Sequence, residues 1–400
     1  MVLEGYRLLG GVHTETSALR NMLAFHGVTA PHSGEPFTEA MLLGIGGGIG
    51  GGYWVFEFEG IPPAMALGAR HEWQHSPGLF IPRIGDRINV TTTVRETAGR
   101  KGAETQLREA LAAGKPAAVA VDMASVPHTM LPEHLVKYMY HLVVVCGLDD
   151  EAGTVTVDDR ARTPFTMTLA ELADDRQAIT SMKHRLVTIE PGGAFDLANA
   201  INAGIAACAD GLLNPPIRNF GIAAWKKWAD LIANPKDKKG WPKVFTPGPN
   251  LYSGLRGIYQ SIEAGGNGSG MMRGMYADFL DEAATAIERP ALAELATAWR
   301  EIAGQWTALA NAALPDSTPL FSEARTLLHR REQVFLSDGA NGLAERREID
   351  ERLTEIQAAM TSGFPLDEAQ STVLLNDLRE RLLDIHAAEV EAAQALAAHA

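Results

Sequence analysis

At Pro191-Gly192-Gly193 the chain changes its hydrophobic period, and that change limits the fold more than any other feature. Before it, short β-branched runs alternate with single helical patterns. After it, apolar residues recur at threes and fours almost without a strand. Leu292, Leu295, Trp299, Ile302, Trp306 and Leu309 trace one stripe along a helix, and Leu197, Ile201, Ile205, Cys208 and Leu212 trace another. The pattern predicts an α+β domain over residues 1–192 followed by an all-α helical domain over 193–400. With 400 residues, 46% of them hydrophobic, the chain can fill two cores.

In the first half, Ala18, Leu19, Met22, Leu23 and Phe25 form the apolar face of a helix that Gly27 ends, with Thr14 or Thr16 as its N-cap. YWVFEFEG reads as a strand, Gly60–Gln74 and Ile81–Asp86 as loops, and Ile88, Val90 and Val94 as a further strand. A helix over Ala103–Ala113 turns at Gly114–Pro116 into the small-residue strand Ala117–Asp122. His128 and His134 lie in a Pro-bounded loop, read as structural or substrate-lining. A helix near Leu169–Ala173 and a strand Arg185–Ile189 complete the domain.

Tyr140–Cys146 and Thr154–Val157 read as antiparallel neighbours joined by the turn-rich Gly147–Gly153. His141 opens the first strand and Asp158-Asp159 closes the second, which brings an imidazole and a carboxylate to one edge of a sheet. A carboxylate in that place orients a histidine base, with Asp159 the first choice and Asp158 the second. The same residues equally fit a hydrogen-bonded histidine beside a capped turn. Thr14 lies where helix N–H groups and the positive end of the dipole gather, a place for a nucleophile and an oxyanion and also for a simple cap.

Six glycines stand between Gly46 and Gly52. Gly46, Gly48 and Gly51 satisfy G-x-G-x-x-G, but a helix precedes them and a strand follows, the reverse of a dinucleotide site. What remains is backbone that another chain segment or an extended ligand can approach closely. In the second half Pro235–Gly254 reads as a loop, and a second glycine cluster, Gly265–Gly270, precedes a helix through Met275, Phe279, Leu280 and Ala283. Helices around Leu343–Met360 and Asp367–Ala397 close the chain. The stripe Leu375, Leu378, Leu382 and Ile385 belongs either to a bundle or to a homodimer seam.

A formal net charge of −14 with scattered basic residues argues against a nucleic-acid partner. Cys146 and Cys208 have neither disulfide-framework nor zinc spacing, so no metal or cofactor is expected and a reducing, cytoplasmic setting fits. No signal peptide or spanning segment is legible, so no membrane partner is expected.

Together, His13-Thr14 at a helix start, LLGIGGGIGGGYW, GKPAAVAVD and HLVVVCGLDDE resemble the N-terminal domain of the butirosin-biosynthesis acyltransferase family, a papain-like fold similar to bacteriocin-processing cysteine peptidases. LLNPPIRNFGIAAWKKWAD, Met271-Met272-Arg273 and MYADFLDEAA resemble that family's helical C-terminal domain. The resemblance implies transfer of an acyl or aminoacyl group from a carrier-protein thioester to a small-molecule amine in natural-product biosynthesis. It makes His141 the base, Asp159 its orienting acid and Thr14 the residue at the nucleophile position, where the family usually has cysteine. His13, Glu15, Ser17, Gly47, Gly48 and Arg273 are the expected substrate-binding residues. A threonine hydroxyl needs far more base assistance than a thiol. Two other readings therefore stand beside acyl transfer: a non-catalytic member that binds a small molecule or a protein, and a Thr14-dependent amidase or peptidase.

Overall fold

The computed structural model describes residues 2–70, 79–266 and 268–399. In chain order the first elements are α1 (Thr14–Phe25), α2 (Glu39–Gly46), β1 (Gly52–Phe58), β2 (Ile61–Gly68), α3 (Phe80–Arg87), β3 (Val90–Arg95), α4 (Arg100–Ala112), β4 (Ala117–Asp122), β5 (Tyr140–Asp149), β6 (Thr154–Asp158), β7 (Phe165–Thr168), α5 (Leu169–Ala178) and β8 (Leu186–Pro191). Helices follow: α6 (Leu197–Leu213), α7 (Ala223–Ile232), α8 (Trp241–Val244), α9 (Pro249–Glu263), α10 (Arg273–Ala286), α11 (Ala291–Ala313), α12 (Pro319–Asp338), α13 (Leu343–Ser362) and α14 (Glu368–Ala397). The fold is α+β, and among the described residues no helix is long and apolar enough to cross a membrane.

Two compact units share the chain. The sheet unit takes Met1–Leu42, Pro77–Ala200 and Gln333–Arg347; the helical unit takes Leu43–Ser76, Ile201–Glu332 and Glu348–Ala400. A single cut after residue 192 therefore describes the chain only roughly, because one early segment belongs with the helices and one late segment with the sheet.

In the sheet unit six strands run in the order β3-β8-β4-β5-β6-β7, with every neighbouring pair antiparallel. One face buries Val119, Val121, Val143, Val145, Val155 and Val157 against Leu107 and Leu111 of α4 and Leu172 of α5, with Phe165 and Phe335 in the same core. On the other side of β5, α1 buries Leu19, Met22 and Leu23 completely. Helix α5 starts with a capping box: Thr168 Oγ1 accepts from Glu171 N at 3.1 Å, and Glu171 Oε2 accepts from Thr168 N at 2.7 Å.

Several segments expected as loops are regular. Residues 61–68 form β2, whose Pro62 and Pro63 are tolerated because the β1–β2 sheet has only two strands and both are edges. The part of the expected loop from 71 to 74 lies outside the described residues. Ile81–Asp86 belongs to α3, where Pro82 sits in the first turn and has no helical bond to break. The stretch 235–254 holds α8 and the start of α9, which opens on Pro249.

In the helical unit Trp225, Trp228, Trp241, Trp299 and Trp306 are fully buried. Arg273 and Glu389, both with fully buried side chains, meet among them. Glu389 accepts from Arg273 Nε at 2.8 Å and Nη2 at 3.0 Å, and from the indole N–H groups of Trp225 and Trp306, each at 2.8 Å. Arg273 also donates to the carbonyls of Met271 and Gly50. The stripe Leu375, Leu378, Leu382 and Ile385 on α14 is covered within the unit, where α14 lies on α7 and α11.

Candidate active site

Helix α1 starts differently from the expectation of a threonine cap. Its N-cap is His13, whose Nδ1 accepts from Thr16 N at 3.3 Å, as an asparagine side-chain oxygen would. Thr14 is the first helical residue. Glu39 closes the same end: Oε2 accepts from Val12 N at 2.8 Å, and Oε1 accepts from His13 N at 3.1 Å and from the Thr16 hydroxyl at 2.7 Å. A carboxylate there is favoured by the helix dipole. Gly11 makes room for it, since a Cβ at that position would lie 2.9 Å from Glu39 Oε2 and 2.5 Å from Ser17 Cβ. Ser17 is buried, and its hydroxyl donates to Gly10 O at 3.4 Å. Glu15 is buried and accepts from the Tyr140 hydroxyl at 3.4 Å.

The Thr14 hydroxyl donates to the carbonyl oxygen of Leu142 at 2.6 Å. The β5–β6 ladder begins only at Val144↔Asp158, so the opening residues of β5 extend past the end of β6. Thr14 caps that uncovered start, one residue from His141. The Thr14 N–H has no acceptor among the described residues.

Strand register decides between the two aspartates. Asp158 lies opposite Val144, so Asp159 continues opposite Val143 and shares a face with His141. The observed contact agrees: His141 Nε2 lies 2.9 Å from Asp159 Oδ2. Asp158 turns to the α1 side, where its Oδ2 accepts from the Tyr6 hydroxyl and from Asn21 Nδ2, both at 2.6 Å. Burial pushes the Asp158 carboxyl up to about 6, and the Asp159 charge adds to the rise against the two hydrogen bonds. Burial also opposes the charge on Asp159, but His141, the second histidine bond and Arg160 hold that carboxyl well below the usual carboxylate range.

A second histidine reaches the same carboxylate oxygen. His128 Nε2 lies 2.9 Å from Asp159 Oδ2, and Arg160 Nε lies 3.4 Å from Oδ1. The sequence pattern left His128 in a loop with no assigned partner. Its place is fixed by contacts distant in sequence: the ring stacks on Phe165 with centroids 3.9 Å apart, and Arg346 donates to the carbonyls of His128 and Thr129 at 2.6 and 3.0 Å. Asp122 accepts from Ala124 N, Ser125 N and Lys137 N, tying down both ends of the segment that carries His128 toward β5. Burial lowers the proton affinity of the His128 ring more than Asp159 raises it. Among the described residues no group of three or more His, Cys, Asp and Glu side chains is arranged to hold a metal ion.

Three expected substrate contacts belong to the helical unit. Gly47 and Gly48 both have left-handed backbone, with φ of +114° and +70°. A Cβ on Gly48 would sit 2.6 Å from Cys208 Sγ and from a Tyr276 ring carbon. Along this run the close neighbour is the chain itself. Arg273 is fully buried with its guanidinium engaged by Glu389 and two carbonyls, so the side chain expected to meet substrate is turned inward to a carboxylate of its own unit.

At one end of the antiparallel sheet, His141 at the start of β5 meets Asp159 just past the end of β6, and the start of α1 reaches the same strand through Thr14. Residues 13–160 match the family model for Butirosin biosynthesis protein H, N-terminal, and residues 168–334 match a domain of unknown function, DUF4872. Over residues 13–160 the chain is thus similar to the N-terminal domain of the butirosin biosynthesis protein H family, which implies a papain-like fold for this part. No curated protein matches it.

Proposed function

We propose that the protein is an acyltransferase that moves an acyl or aminoacyl group from a thioester, carried by an acyl carrier protein, directly to an amine. The family suggests an acyltransferase-like biosynthetic role, and the observation that carries the finer reading is the His141–Asp159 contact beside the start of α1. Asp159 accepts the Nε2 proton, which leaves the Nδ1 lone pair of His141 as the base. As the amine forms its bond to the thioester carbonyl carbon, Nδ1 takes the amine proton and Asp159 stabilises the imidazolium. The carbonyl oxygen becomes an oxyanion within reach of the Thr14 N–H and the α1 dipole. The C–S bond then breaks, and the imidazolium proton goes to the departing thiolate.

The Thr14 hydroxyl donates its proton to a carbonyl, which is no base, so an acyl-enzyme at Thr14 is not part of this scheme. Wild type, Thr14→Ala and His141→Ala are to be incubated with acyl-thioesters and a panel of amines and read by mass spectrometry. Thr14→Ala retains transfer within about tenfold, while His141→Ala loses about 10²–10⁴-fold. An acyl adduct on wild-type Thr14, or full transfer by His141→Ala, would sink direct attack.

A second reading, a binding module without turnover, is favoured by the 2% exposure of His141. Amine-independent thioester binding by wild type, with no product from wild type or Thr14→Cys, would select it.

A further inference from the structure

We propose that His128 is a positioning residue that sets how tightly His141 holds its proton, by giving a second N–H to the same Asp159 oxygen. The role in turnover rests on the acyl-transfer reading; the proton linkage between the two histidines does not.

Both Nε2 atoms lie 2.9 Å from Asp159 Oδ2. An ionised carboxylate oxygen only accepts, so each ring carries its proton on Nε2. Two donors then divide the electron density of one oxygen, and the carboxylate stabilises a positive His141 less than it would alone. His128 cannot swing out of this arrangement. Its ring lies at 7° to that of Phe165, with Phe335 stacked beyond, and Arg346 grips its carbonyl while sitting 4.8 Å from the Phe335 ring centre. The charged and titratable groups around the pair are Asp159, Arg160 on its other oxygen, and Arg346 behind His128. Burial, and then His141 and Arg346, disfavour a charge on His128, which stays a neutral donor.

Removing that donor frees Asp159 for His141 alone, so the His141 imidazolium becomes easier to form. The phenyl ring of His128→Phe keeps the aromatic stack but has no N–H. His128→Gln places an amide N–H near the position of Nε2. The ¹⁵N shifts of wild-type His128 and His141 report which nitrogens are protonated. ¹H–¹³C titration of His141, assigned against His141→Ala, then gives its midpoint in wild type and both variants.

The expected result is an Nε2–H tautomer on both wild-type rings, a His141 midpoint raised by about one unit in His128→Phe, and recovery of most of that shift in His128→Gln. The acid limb of kcat/KM against pH moves upward with it in His128→Phe. A His128 Nε2 without a proton in wild type overturns the proposal even if neither variant folds. Equal midpoints in all three proteins, or equal shifts in the two variants, also overturn it. A midpoint that moves in a protein showing no transfer leaves the linkage standing and removes the acyl-transfer reading.

Discussion

Replacing Arg273 with methionine should cost the helical unit about 3–5 kcal/mol, because it leaves Glu389 as a buried carboxylate held by two indole N–H groups alone. The wild-type carboxylate receives four bonds, two of them from the guanidinium at 2.8 and 3.0 Å, and both side chains are fully buried. Methionine fills much of the lost volume, so the cost is electrostatic rather than that of a cavity. Every tryptophan among the described residues belongs to the helical unit, and Trp225 and Trp306 touch the pair, so urea unfolding followed by tryptophan fluorescence reads this unit. Glu389→Gln should be similarly costly, since its amide donors would face other donors. The double variant should lose at least about 2 kcal/mol less than the sum of the singles. A loss below about 1 kcal/mol in Arg273→Met, or strict additivity, would refute the buried-pair argument and reopen a ligand role for Arg273.

Asp158, raised to about 6 by burial, binds a proton in the folded state that an unfolded aspartate has released, so stability falls as pH rises from about 4 to 6 and stays lower above. Asp158→Asn, which keeps an acceptor for Tyr6, should therefore stabilise the protein by up to about 3 kcal/mol at pH 7.5 and by little at pH 4; a gain independent of pH would contradict this. Burial pushes the Cys146 thiol up to about 12 and that of Cys208 to about 11, so iodoacetamide at pH 8 should label neither until denaturant is added. Gly48→Ala combines a left-handed backbone with a 2.6 Å clash and should lower the midpoint of the tryptophan-monitored transition by about 2 kcal/mol or more; unchanged stability would show that the run has slack.

The readable parts of this fold are those where local pattern and tertiary demand agree. The β5–β6 hairpin and the stripes of α6, α11 and α14 carry their burial in their periodicity, and the structure keeps them. Helix α12 was not legible, because its stripe Phe321, Ala324, Leu328 and Phe335 is interrupted at the intervening turn by Arg331, which pairs with Asp350. At the site, His141 and Asp159 follow from one strand register. His128, Arg346 and Phe335 reach that register from elsewhere in the chain, and no spacing rule relates them. The helix cap was misjudged for a chemical reason: neutral histidine offers the same acceptor as asparagine at short range.

The late segment 333–347 matters most while the protein is being made. Phe335 and Arg346 are the pieces that steady His128, yet they leave the ribosome more than a hundred residues after the last strand of their own sheet. On a nascent chain that ends at residue 200, His128 lacks its Phe335 and Arg346 supports, whereas residues 43–76 of the helical unit are already made, ahead of the helices they join. The sheet unit therefore waits for a segment made after most of the helical unit, so vectorial synthesis should complete it late rather than as a first, independent domain.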